Sequence, residues 1–93
     1  MPYIKQDKRD VLDPHVDLLL NELRGLESDD PSNNMEGNLN YIIPRMLKRI
    51  CVGGGYRAIN DAVGMLESCK LEFYRKVAGP YEDQKEFENG SVE

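Results

Sequence analysis

Apolar residues recur at three- and four-residue spacing in three stretches of the chain, and this period predicts α-helices. The first stretch predicts a helix from about Pro14 to Arg24. Asp13 is its expected N-cap, Pro14 its first residue, and Gly25 the residue that breaks it. The acidic and polar residues 27–34 predict a loop.

A second apolar stripe predicts a helix that begins near Gly37. Its members are Leu39, Ile42, Ile43, Met46, Leu47 and Ile50. Pro44 lies inside the stripe, so it either kinks this helix or moves its regular start to about Ile43. Gly53–Gly55 predicts a hinge-like connector rather than a phosphate loop, because no strand precedes it and no Lys-Ser/Thr follows it.

The third stripe predicts a long helix, roughly Ala58–Val77, with apolar residues close to a heptad pattern. They are Ile59, Ala62, Leu66, Cys69, Phe73 and Val77. A rod of about 30 Å is too long for two shorter helices of the same chain to cover, so we expect self-association through it. Gly79-Pro80 is expected to end the helix, and residues 79–93 to be extended, hairpin-like or partly disordered.

These elements predict an all-α fold: a small three-helix bundle with a long C-terminal helix and an extended acidic tail, assembled as a homo-oligomer. With 93 residues the chain is expected to form a single domain, 1–93. Its expected parts are an N-terminal arm (1–13), a helical core (14–78) and the tail (79–93). A chain this short buries only about 60–65% of its unfolded surface, so it is either a compact helical mini-domain or part of an oligomer that shares its core.

The net charge of −5 argues against binding to polymeric nucleic acid, which needs a basic surface. The charge is uneven, however. Residues 45–76 carry seven cations against three anions, whereas residues 81–93 carry five anions against Lys85. A basic middle therefore permits a local anion site in an acidic protein.

Two cysteines, Cys51 and Cys69, and one histidine, His15, lack the spacing of a structural zinc site, so we expect neither a metal nor a cofactor. No catalytic triad and no ExxE carboxylate pair is present, and we expect no catalytic residues and no enzymatic activity. The sequence has no apolar run that would cross a membrane and no signal peptide. We therefore expect a cytoplasmic protein with reduced thiols and no membrane partner.

A mixture of cations and tyrosines remains as the candidate ligand-binding set. Its members are Arg45, Lys48, Arg49, Tyr56, Arg57, Lys70, Tyr74, Arg75, Lys76 and Tyr81. Arginine binds phosphate groups bidentately and tyrosine rings stack on bases, so the set is suited to a small nucleotide. The plainer interpretation is that these residues form solvated helix faces, with cations favoured near helix C-termini.

Two stretches resemble a family of small proteins of phages and prokaryotes that has no assigned activity. They are MPYIKQDKRDVLD at the start and INDAVGMLESCKLEFYRKVAGPYEDQKEFENGSV at the end, and GNLNYII also resembles the family's second helix. Pro44 and the Gly53–Gly55 connector depart from this resemblance.

The segment LESCKLEFYRKVAGPYED is similar to the phage anti-CBASS cyclic-nucleotide sponges. Those short all-α proteins oligomerise and sequester cyclic di- and trinucleotides between protomers. The resemblance implies a phage-encoded, non-catalytic anti-defence protein that sequesters a cyclic or other small signalling nucleotide in the cytoplasm of the host cell. The alternatives are a protein–protein interaction module or adaptor for a host or phage protein, and a small nucleotide-acting enzyme.

Overall fold

The computed structural model describes residues 3–92, and these residues are almost entirely helical, without β-strands. Helix α1 spans Gln6–Asp29 and α2 spans Met35–Ile50. Helix α3 (Gly55–Phe73), a π-helical turn (Tyr74–Ala78) and α4 (Gly79–Asn89) then follow one another without a break. The predictions of an all-α fold and of three helices with a long last one are therefore confirmed.

The chain divides into two compact units, which for the described residues are 3–52 and 53–92. The first contains α1 and α2, and the second contains the long helix. The predicted single domain stays a prediction. Met1, Pro2 and Glu93, which belong to the predicted arm and tail, lie outside the described residues.

Helix α1 is longer than the sequence predicted at both ends. Pro14, the expected first residue, lies inside it, where its missing N–H leaves only the carbonyl of the solvent-exposed Asp10 without a helical donor. Gly25 is also helical, so its expected role as a breaker was wrong. The helix ends at Asp30, whose extended backbone (φ −143°, ψ 101°) is the conformation that the following Pro31 requires.

The loop between α1 and α2 is short because side chains on both sides of it bind free backbone groups. The N–H and the hydroxyl of Ser32 donate to Asp30 Oδ1 at 3.0 and 2.7 Å. Asn34 caps α2 by accepting from the Gly37 N–H at 2.8 Å. Glu27 accepts from the Met35 N–H at 2.8 Å. The bonds accepted by Asn34 and Glu27 satisfy N–H groups that the first turn of a helix leaves without partners. Helix α2 therefore starts two residues before the predicted Gly37.

In the first unit α1 and α2 contact each other, and Leu23 is its buried core residue, 5% exposed. Leu20, Ile42 and Leu47 are half-buried. Pro44 lies within α2 and does not delay its start, so that alternative was wrong. The contact between two amphipathic helices supplies the small apolar core of this unit.

In the second unit the helix continues through Gly79-Pro80, and the prediction that this dipeptide ends it was wrong. A proline in a regular helix clashes with the carbonyl four residues before it. Here the preceding turn widens into a π-helix, in which the Gly79 N–H bonds to the Tyr74 carbonyl five residues earlier. Pro80 then lies in the first turn of α4, where the preceding wide turn leaves room for its ring.

The expected extended tail is helical over Gly79–Asn89, because local pairs support it. The Lys85 ammonium lies 3.2 Å from a carboxylate oxygen of Glu88 and 5.7 Å from the centre of the Tyr81 ring. The helix ends at Gly90, whose φ of 89° is favourable only for glycine. The Asn89-Gly90 turn signal thus marks the end of α4.

Candidate functional site

The cations of α2 form one exposed face. Arg45, Lys48 and Arg49 lie three and four residues apart, so they project from the same side of the helix. The Arg45 guanidinium lies 5.7 Å from the centre of the Tyr41 ring. Tyr41 was not among the residues predicted from the sequence, although its position four residues before Arg45 was a readable signal.

This face, Tyr41 with Arg45, Lys48 and Arg49, is called the basic face of α2 below. Helix α2 carries three cations against Glu36 alone, a net charge of +2. Within residues 3–92 none of the three cations forms an ion pair. Cations in the last turns also compensate the helix dipole, so the arrangement is favourable without a ligand as well.

The predicted cations of α3 and the π-helical turn are in part engaged by carboxylates of their own helix. The Lys70 ammonium lies 3.1 Å from a carboxylate oxygen of Glu67, and the Arg75 guanidinium lies 3.1 Å from a carboxylate oxygen of Glu72. An anionic ligand at either position competes with a carboxylate that is already in place. Tyr56 and Arg57 lie in the first turn of α3, exposed, and Lys76 is exposed on the π-helical turn.

Tyr74 is also engaged. Its hydroxyl donates to the Glu82 carboxylate, with distances of 2.9 and 2.8 Å to the two oxygens. This bond and the negative charge of Glu82 raise the pKa of Tyr74 above its ordinary value of 10.0. The contact joins the start of the π-helical turn to the first turn of α4, so it ties the two elements together.

Helix α4 is acidic. It carries four carboxylates, Glu82, Asp83, Glu86 and Glu88, against Lys85, a net charge of −3. An open groove runs along it past Tyr81, Lys85 and Glu86. An acidic groove disfavours a nucleotide phosphate, so the predicted ligand residue Tyr81 does not face a surface suited to that ligand.

The long helix keeps its apolar residues largely exposed from its middle onward. Ala62 is buried, 5% exposed, but Phe73 is 65% and Tyr81 64% exposed. The exposed residues Leu66, Cys69, Phe73, Val77 and Tyr81, called the seam below, follow one another at intervals of three or four residues. The ten predicted ligand residues thus divide between three on the basic face in the first unit and seven in the second unit, of which Lys70, Tyr74 and Arg75 are engaged by carboxylates.

Within residues 3–92 no group of three His, Cys, Asp or Glu side chains is arranged to hold a metal ion. No helix in this part of the chain has the length and apolar character needed to span a bilayer.

Comparisons with known proteins give a family but no activity. Neither a curated protein nor a solved structure matches the chain. A family profile described as "Domain of unknown function (DUF6899)" matches residues 1–92. This match agrees with the expectation of an uncharacterised family. Since it covers nearly the whole sequence, the chain belongs to the DUF6899 family.

Proposed function

We propose that this protein is a non-catalytic interaction module that associates with further copies of itself through its long helix. One observation carries the proposal: the seam leaves large apolar side chains exposed, among them Phe73 and Val77. Burying such a side chain contributes about 1.5–3 kcal/mol. A soluble helix that presents a row of them at nearly heptad spacing is suited to pairing with another helix.

The amount of buried surface within the chain supports the same proposal. Leu23 and Ala62, each 5% exposed, are the buried apolar residues of the described chain. Two such residues are few for a domain that must offset the conformational entropy lost on folding. Association supplies the missing burial, as it does in many short chains.

The test is a mass measurement over a range of concentrations. Sedimentation equilibrium is expected to give a multiple of the 10.6 kDa chain mass at micromolar concentration. A single 10.6 kDa species throughout the micromolar range contradicts the proposal.

A second candidate is sequestration of a nucleotide second messenger, in which a phage-encoded protein blocks anti-phage signalling in the cytoplasm of its host. The basic face of α2 favours it, because three cations beside a tyrosine ring offer phosphate and base contacts. The resemblance of LESCKLEFYRKVAGPYED to cyclic-nucleotide sponges points the same way. Effective sequestration requires a Kd that is roughly nanomolar, about −12 kcal/mol.

Release of bound nucleotide by heat denaturation distinguishes these functions. The protein is incubated with a panel of cyclic di- and trinucleotides, separated from free ligand, and denatured by heat. Release of intact nucleotide supports sequestration, release of altered nucleotide supports a small nucleotide-acting enzyme, and no retention leaves the interaction module.

A matched pair of variants locates any retained ligand. Arg45→Ala with Lys48→Ala is expected to abolish retention, whereas Lys8→Ala, which removes an exposed cation beside Asp7 on α1, is expected to leave it unchanged. Equal retention by both proteins excludes the basic face as the binding site.

A further inference from the structure

The seam is continuous through the π-helical turn, although Pro80 interrupts the regular helix. Phe73, Val77 and Tyr81 are spaced four residues apart. In a regular α-helix each step of four residues turns the side chain by about 40°, so the third residue would leave the face of the first. The wider turn at 74–78 holds an additional residue and offsets this drift. The three side chains therefore remain on one line of the surface.

The five seam residues are arranged nearly symmetrically about Phe73, at seven and four residues before it and at four and eight residues after it. Two of them precede it, Leu66 and Cys69, and two follow it, Val77 and Tyr81. If a second copy lies antiparallel on the seam, Phe73 meets Phe73, Cys69 meets Val77, and Leu66 meets Tyr81. A two-fold axis at Phe73 places the contact between the two Phe73 residues on the axis and produces each of the other two contacts twice.

Charge favours this direction over the parallel one. A parallel pair places two α4 helices side by side, each with a net charge of −3, and like charges at this distance repel. An antiparallel pair separates the two α4 helices.

We propose that a second copy of this chain covers the seam, antiparallel, with the two-fold axis at Phe73. The inference rests on the self-association proposed above and adds its direction and register. Helices that pack at 8–10 Å bring opposing core positions close enough for a disulfide between cysteines placed there. Cys69 thus serves as a built-in probe, because its expected neighbour is Val77 of the second copy.

The experiment uses the full chain with Cys51→Ser, so that Cys69 is the remaining thiol. Mild oxidation of this protein is expected to give no covalent dimer, because the two Cys69 residues lie about eight residues apart along the axis, roughly 12 Å. Addition of Val77→Cys is expected to make the covalent dimer the main species. Addition of both Val77→Cys and Cys69→Ser leaves only the introduced thiol, and this protein is expected to form no covalent dimer.

Each other outcome overturns the proposal in a distinct way. Covalent dimers of the Cys51→Ser protein, or of the protein that has only the thiol introduced by Val77→Cys, indicate a parallel pair. Absence of cross-linking in all three proteins, while sedimentation shows a dimer, places the interface elsewhere. If Val77→Cys itself dissociates the dimer, Leu66→Cys with Tyr81→Cys in a protein without native thiols gives the same readout. If every one of these proteins is a monomer, the self-association proposed above is contradicted.

Discussion

The two units of the molecule achieve stability in different ways. In the first, α1 and α2 contact each other across a short loop, and Leu23 is buried between residues of one chain. In the second, a continuous helix carries its apolar seam exposed, with Phe73 at its middle. The first unit is organised by contacts within the chain, whereas the second leaves its apolar seam exposed, and the proposed self-association rests on that surface. Variants of the first unit are therefore expected to change the free energy of unfolding, and variants of the seam are expected to change self-association.

Phe73→Glu is expected to have the largest effect. Loss of the ring and introduction of a charge weaken self-association by roughly 4 kcal/mol, which corresponds to about a thousandfold in Kd. Sedimentation equilibrium measures it. The control is Ser68→Glu, an exposed position of the same helix that lies off the seam. Equal dissociation by both variants contradicts the role given to the seam.

Leu23→Ala tests the first unit. The side chain is 5% exposed, and its truncation is expected to lower the free energy of unfolding by about 3 kcal/mol. Urea denaturation followed by circular dichroism measures the change at one protein concentration. Leu18→Ala on the same helix, where the leucine is exposed, is expected to cost about 0.5 kcal/mol or less. If the two variants are equally destabilised, the contact between α1 and α2 does not carry the core of this unit.

Asn34→Ala is expected to have a smaller effect on the same unit. It removes the side-chain cap that accepts from the Gly37 N–H, at a cost of about 1 kcal/mol in the free energy of unfolding. Asn33→Ala, beside it in the loop, provides the control. No difference between the two in the urea midpoint would show that the cap does not hold the start of α2.

The contact between Tyr74 and Glu82 gives the smallest effect, and it depends on pH. Because the pKa of Tyr74 is raised in the folded chain, its contribution is fully present below the ordinary value of 10.0 and is lost as the pH rises through the folded value. The melting temperature is therefore expected to fall more steeply with pH above pH 10 in the natural protein than in the Tyr74→Phe variant. Identical slopes in the two proteins contradict a contribution from this hydrogen bond.

The apolar period was sufficient to predict the fold class, because the spacing of residues such as Ile42 and Leu66 is that of a helix face. The ends of the helices were harder to predict, because single prolines and glycines were taken to mark where a helix begins or ends. Pro14 and Gly25 lie within α1, and the effective stop is Pro31, through its effect on Asp30. Pro80 was misread because a wider preceding turn removes its clash, and no local preference of residues 74–78 announces that turn.

The candidate site could be predicted only where its residues lie on one face of a single helix. The basic face of α2 follows from the spacing of Arg45, Lys48 and Arg49. The engagement of Arg75 by Glu72 was readable from their spacing of three residues. That of Tyr74 by Glu82, eight residues apart, was not, because it depends on the geometry of the π-helical turn.

The short loop between α1 and α2 also has a consequence for the rate at which the molecule forms. Asn34 and Glu27 bind backbone groups within three and eight residues of themselves, so little chain has to be brought together before α2 can start. Proteins dominated by such local contacts fold in microseconds to milliseconds. Pairing of separate chains is concentration-dependent and takes milliseconds to minutes. Under the self-association proposed above, each newly made chain completes its helices first, and its Phe73 stays exposed to water until the chain pairs with another copy.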